Sequence, residues 1–145
     1  MSGLINTQAH RAARNAASIA LADAGPGNAS IRAYTALGGT LLAVRSLERP
    51  CGTVRPSDGR IVLTPLESTE VALATGAATW AEWCNASGVA ISAGRVTDPA
   101  GNVTDGTGAV VADPLGVGPF VLGGGAAGTM VYAGGLVLLF AALIG

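Results

Sequence analysis

Gly76-Ala77-Ala78-Thr79-Trp80-Ala81-Glu82-Trp83-Cys84-Asn85-Ala86-Ser87-Gly88-Val89-Ala90-Ile91-Ser92-Ala93-Gly94-Arg95-Val96-Thr97 reads as strand, turn, strand. An aromatic, alternating segment meets Asn85-Ala86-Ser87-Gly88, and alternation then resumes at Val89, Ile91 and Ala93. If the first strand alternates, Trp80 and Trp83 take opposite faces: one points into the core, the other under a loop or against a partner. Glu82 and Cys84 share the parity of Trp80, so the pattern leaves the choice of face open. No residue set in the segment resembles a reaction centre.

Outward from this hairpin the pattern repeats. Further strands are expected at 30–36, 40–47, 60–64, 69–74, 108–112, 119–122, 129–133 and 136–143, beside 78–84 and 89–96. Between them lie Gly38-Gly39, Pro56-Ser57-Asp58-Gly59, Asp98-Pro99-Ala100-Gly101-Asn102 and Gly134-Gly135, all turn chemistry. Short strands at roughly ten-residue spacing argue for a β-sandwich or jelly roll. The expected fold is mainly β: a jelly-roll-like antiparallel β-sandwich with one N-terminal Ala-rich helix. Residues 1–28 form the helix or arm and 29–145 the sandwich, one domain in all.

The helix is expected over 6–24. Asn6 or Thr7 caps it, Ala dominates its interior and Gly25-Pro26-Gly27 stops it. Ala9, Ala12, Ala13, Ala16, Ile19 and Ala20 recur at helical spacing as its packing stripe, against the chain's own sheet or a neighbouring subunit. Arg11, Arg14 and Asn15 fall elsewhere.

Half of the 145 residues are hydrophobic, yet only 12% are charged, well below the roughly 25% of ordinary soluble domains. A surface so poor in charge is expected to be covered in part by partners or by a membrane. Eight Arg, no Lys and nine acids give a net charge of -1, so no basic patch awaits a nucleic-acid backbone. Met1-Ser2-Gly3-Leu4-Ile5-Asn6 lacks the charged start and apolar run of a signal peptide. In the cytosol Cys51 and Cys84 stay thiols and serve as small buried hydrophobes.

Residues after Asp113 carry no charge, and 136–144 is almost wholly aliphatic. A membrane helix needs about 20 apolar residues. The segment 130–144 is shorter, is interrupted by Gly134-Gly135 and has no Lys or Arg at its flanks. Two strands joined by a Gly-Gly hairpin turn are expected there; a membrane anchor is the alternative.

Chemical motifs are incomplete. Gly123-Gly124-Gly125-Ala126-Ala127-Gly128 spells G-x-G-x-x-G, but no acid follows Asp113 to hold a ribose, and no Lys exists for a phosphate loop. A flexible loop is expected instead. His10 is the one histidine, on the Ala-rich helix, and no Ser or Cys sits in a nucleophile elbow. Two Cys and one His fall short of a zinc set. Asp98, Asn102 and Asp105 have turn spacing rather than EF-hand spacing. Glu67 and Glu70 read as a solvated strand edge. The expectation is a protein without catalytic, cofactor or metal residues and without a small-molecule substrate.

Several segments together resemble the cement, or decoration, proteins of tailed-phage capsids. An Ala-rich stretch at 12–24 precedes a strand bearing Ile31-Arg32-Ala33-Tyr34-Thr35. A Leu41-Leu42-Ala43 strand, a loop holding Pro50 and then the Trp80–Trp83 hairpin follow. The resemblance implies a jelly roll on the capsid exterior, assembled in the host cytoplasm. Its partners would be the major capsid protein and a second copy of itself, as a dimer or larger capsid-bound assembly. The acid-free C-terminal stretch departs from the pattern and keeps open a small membrane-associated phage protein, of lysis-accessory type, anchored by 130–144. For the subunit interface, Arg11 and Arg14 on the helix and Trp80 and Trp83 on the strand are the candidates.

Overall fold

A computed structural model of the chain describes residues 7–67, 70–123, 127–140 and 143–144. It is mainly β, with one helix and a curled sheet of many strands. The helix α1 spans Gln8–Ala22. The strands are β1 Ser30–Tyr34, β2 Leu41–Val54, β3 Ile61–Pro65, β4 Glu70–Val71, β5 Gly76–Ala77, β6 Trp80–Cys84 and β7 Ala90–Thr97. They continue as β8 Asn102–Thr104, β9 Val110–Ala112, β10 Phe120–Gly123, β11 Met130–Val131, β12 Leu136–Phe140 and β13 Leu143–Ile144.

Nine of them form one sheet in the order β13-β3-β2-β1-β6-β7-β10-β12-β4, with β11-β5 and β8-β9 as two-stranded satellites. Among the described residues every pairing is antiparallel except that of β7 with β10. Ile31 and Ala33 of β1, Ala81 and Trp83 of β6, and Val96 of β7 point to one face. There they pack with Leu42, Leu47, Ile61, Leu63 and Phe120. Ala22 of the helix belongs to the same apolar cluster, so helix and sheet share a core.

Local chemistry accounts for the turns. In the β6–β7 hairpin the Asn85 side chain accepts the N–H groups of Ser87 and Val89, both at 3.0 Å. Asp98 treats Ala100 and Asn102 in the same way, and Asp105 treats Thr107 and Ala109 likewise. Asp113 accepts the N–H of Leu115. Each of these loops has glycine three residues after the Asn or Asp, with φ between +77° (Gly116) and +87° (Gly108), where a Cβ is strained. One five-residue loop design thus recurs at 85–89, 98–102, 105–109 and 113–117.

Three expectations are corrected. The helix does face its own sheet, but only part of the expected stripe turns inward. Ala12 and Ile19 are half-buried, with Ile19 against the core, while Ala9, Ala13, Ala16 and Ala20 are exposed and Asn15 is buried. Asn15 Nδ2 donates to the Gly59 carbonyl at 2.7 Å, and Arg11 donates to that of Asp58 at 2.7 Å. Gln8 donates to the Pro56 carbonyl. Ala occurs all round this helix and buries little area on any side, so these hydrogen bonds set its rotation. At its C-terminus, both Asp23 carboxylate oxygens accept the Cys51 N–H.

The second correction concerns Pro50, which lies inside a strand rather than in a loop. β2 runs on to Val54, with Leu47 opposite Pro65 and Gly52 opposite Leu63. Residues 48–51 therefore bulge against the single residue Thr64, which lets the strand bend without ending.

The third correction concerns Gly134-Gly135. The turn is present, with Gly135 N–H donating to the Tyr132 carbonyl at 2.8 Å and Gly134 at φ +77°. It joins no hairpin, because β11 pairs with β5 while β12 pairs with β10 and β4. The described residues of 130–144 are strands and turn, and no helix among the described residues is long and apolar enough to cross a membrane.

Candidate interaction surface

The face of β1, β6 and β7 opposite the core carries a half-buried band of charged and aromatic side chains. Strand alternation puts it there: with Ile31, Ala33, Ala81 and Trp83 inward, Arg32, Tyr34, Trp80 and Glu82 must point outward. Register then aligns them in rows. Tyr34 lies opposite Trp80, and Trp80 opposite Arg95; one pair along, Arg32 lies opposite Glu82.

Within the band, Tyr34 and Glu82 lie on the same face of neighbouring strands. Burial, and then the Glu82 carboxylate, push the Tyr34 phenol above its ordinary value. Arg32 lies against Gly88, where an added Cβ would stand 2.8 Å from its guanidinium. Arg95 donates to the Leu115 carbonyl at 3.0 Å and lies 3.4 Å from the Asp113 carboxylate. It thereby holds the 113–117 loop with Leu115 75% exposed. Among the described residues, the buried Arg32 Nε and Trp80 Nε1 have no acceptor. Guanidinium groups beside aromatic rings suit recognition of a partner surface.

A buried polar knot also ties loops together. Thr97 Oγ1 donates to the Asp98 carbonyl and accepts the Gly118 N–H. Thr104 and Thr129 exchange hydrogen bonds, each hydroxyl accepting the other's N–H at 2.9–3.1 Å. Asp98 also accepts the N–H of Gly128 at 2.8 Å. Burial alone would raise the Asp98 carboxyl, but N–H donors from Gly128, Asn102 and Ala100 hold it below its ordinary value. In the glycine motif at 123–128, the Gly128 amide is engaged by this side chain. Residues 124–126 lie outside the described residues.

Beyond the knot, an apolar cavity of about 260 Å³ opens between Thr104, Gly108, Val110, Ala127, Met130 and Tyr132. Its rim includes Tyr132, 64% exposed, and Val110, 46% exposed.

The four interface candidates separate. Arg14 is exposed on the helix, and Trp80 stands on the outer sheet face. Arg11 is held by the Asp58 carbonyl, and Trp83 is in the core at 1% exposure. His10 is exposed on α1. Cys51 and Cys84 are free and buried. Burial, then the adjacent Asp23 carboxylate, push the Cys51 thiol up to about 12. Of the two residues read as a solvated strand edge, Glu67 is exposed and the side chain of Glu70 lies outside the described residues. Sequence reading missed Arg32, Tyr34, Glu82 and Arg95 as one group. The shared parity of Arg32 with Tyr34 in β1 was visible, but the register that aligns them with Glu82 of β6 and Arg95 of β7 was not. No family model, curated protein or solved structure matches the chain.

Proposed function

We propose that this chain is a structural virion protein: a capsid cement protein that binds the major capsid protein on the outside of a tailed-phage shell and stabilises it. The finer fold reading, a jelly-roll-type sandwich, belongs to the same proposal. The curled, almost wholly antiparallel sheet and the long bent β2 support it.

One observation carries the proposal. A chain with only 12% charged residues exposes many large apolar side chains, among them Leu37 and Leu115 at 75% and Leu73 at 62%. Such a surface suits burial against neighbours more than life in free solution. The Asn and Asp side chains of the four recurrent loops are meanwhile engaged by the protein's own backbone, which marks them as scaffold. Repetition around a symmetric shell lets many modest contacts act together.

Imaging of virions at subunit resolution tests the proposal. An ordered outer layer of this protein is expected, and particles lacking it should rupture at lower temperature or under milder osmotic shock. Recovery only in the host membrane fraction, with virions unchanged by deletion, would overturn it.

A further inference from the structure

We infer that β9 is a self-association edge, through which two copies of this chain pair antiparallel about a twofold axis at Val111. The inference gives a surface to the self-pairing that the resemblance to capsid cement proteins implies, and it stands on the purified chain alone.

Among the described residues β9 pairs only with β8. The register is Asn102 to Ala112, Val103 to Val111 and Thr104 to Val110. Flanking bonds run from Asp105 N–H to the Ala109 carbonyl and from Asp113 N–H to the Gly101 carbonyl. In an antiparallel ladder, bonded pairs alternate with unbonded ones. The pair between these two bonds in the same phase is Val103–Val111, so Val111 turns its main chain toward β8. Val110 and Ala112 therefore turn their N–H and C=O groups outward. All three residues are exposed.

An open edge of this kind asks for another extended strand. Natural edges are usually blunted by Lys, Pro or a bulge, and Ala109-Val110-Val111-Ala112 has none of these. The outward groups are symmetric about Val111, which makes the edge complementary to itself. Val110 would exchange two hydrogen bonds with Ala112 of the partner subunit, and the mirror pair would do the same. Small Ala112 then stands beside larger Val110 in each row. Asp113, held by Arg95, falls opposite Ala109 of the partner subunit, so no like charges meet. The Val111 side chains meet at the axis in an unbonded pair, with Cβ atoms about 4.5–5.5 Å apart.

Sedimentation of the full-length chain over a wide concentration range tests this, and a concentration-dependent dimer is expected. Val111→Arg places two like charges at the axis and should weaken association about tenfold or more, with circular dichroism and melting unchanged because Val111 is already solvent-facing. Val111→Cys should cross-link under mild oxidation. Val110→Cys should not, because two copies of position 110 lie more than about 7 Å apart in this register. A monomer at every concentration, association unaffected by Val111→Arg, or equal cross-linking at 110 and 111 would each overturn the inference. None of these outcomes bears on binding to the shell.

Discussion

The Asp98 carboxylate accepts the backbone N–H of Gly128 across thirty residues of sequence, at 2.8 Å and in a buried site. The same side chain closes its own loop through Ala100 and Asn102. One ionised group thus joins the 98–102 loop to the end of the glycine segment.

Because these donors hold the Asp98 carboxyl below its ordinary value of 3.8, its contribution to stability is present at neutral pH. That contribution is lost as pH falls from the ordinary aspartate value through the lowered one. Asp98→Ala should cost about 3 kcal/mol, since one buried and two part-buried N–H groups lose their acceptor. Asp98→Asn should flatten the acid limb of a stability-versus-pH curve measured by urea unfolding. An acid limb identical to that of the wild type would refute the assignment.

The two tryptophans should behave differently. Trp83→Ala empties a core position and should cost about 3–5 kcal/mol. Trp80→Ala, on the half-buried outer face, should cost less than half as much in the same denaturation experiment. If Trp80 faces a shell subunit, the same change should release the protein from capsids at lower salt or temperature.

Asn15 is expected to outweigh its alanine neighbours. Asn15→Ala leaves the Gly59 carbonyl without this donor and should cost about 1–2 kcal/mol. Ala13→Ser and Ala16→Ser, on the exposed side, should stay within about 0.5 kcal/mol. Equal effects at all three positions in chemical denaturation would mean that the hydrogen bond does not set the helix rotation.

Cys51 should resist alkylation in the native protein at mildly alkaline pH and react promptly once the chain is unfolded. Burial and the Asp23 carboxylate both disfavour its thiolate, up to about 12. The corresponding stability is complete below the ordinary thiol value of 9.0 and is lost as pH rises from there toward about 12. Rapid labelling of native Cys51, read by mass spectrometry, would contradict this.

Gly134 occupies the third position of the Tyr132–Gly135 turn, where a side chain would be forced into the left-handed region. Gly134→Val should therefore cost about 1–2 kcal/mol in thermal or chemical unfolding. A neutral result would show that the turn takes another conformation.

The sequence by itself determined the features that depend on neighbours along the chain. The Asn85–Gly88 turn, the Asp98–Asn102 turn and a cap at Asn6 or Thr7 were all legible, because each is made by a side chain bonding backbone a few residues away. So was the opposition of Trp80 and Trp83, which follows from the pleat of one strand. Only the tertiary structure decided which tryptophan is buried, how far β2 continues past Pro50, which strands receive β11 and β12, and which side of the Ala-rich helix turns inward. Those outcomes rest on partners far apart in sequence, such as Asn15 with Gly59 and Asp98 with Gly128. The Arg32–Tyr34–Trp80–Glu82 band belongs with them, since parity lies within a strand but register exists only between strands.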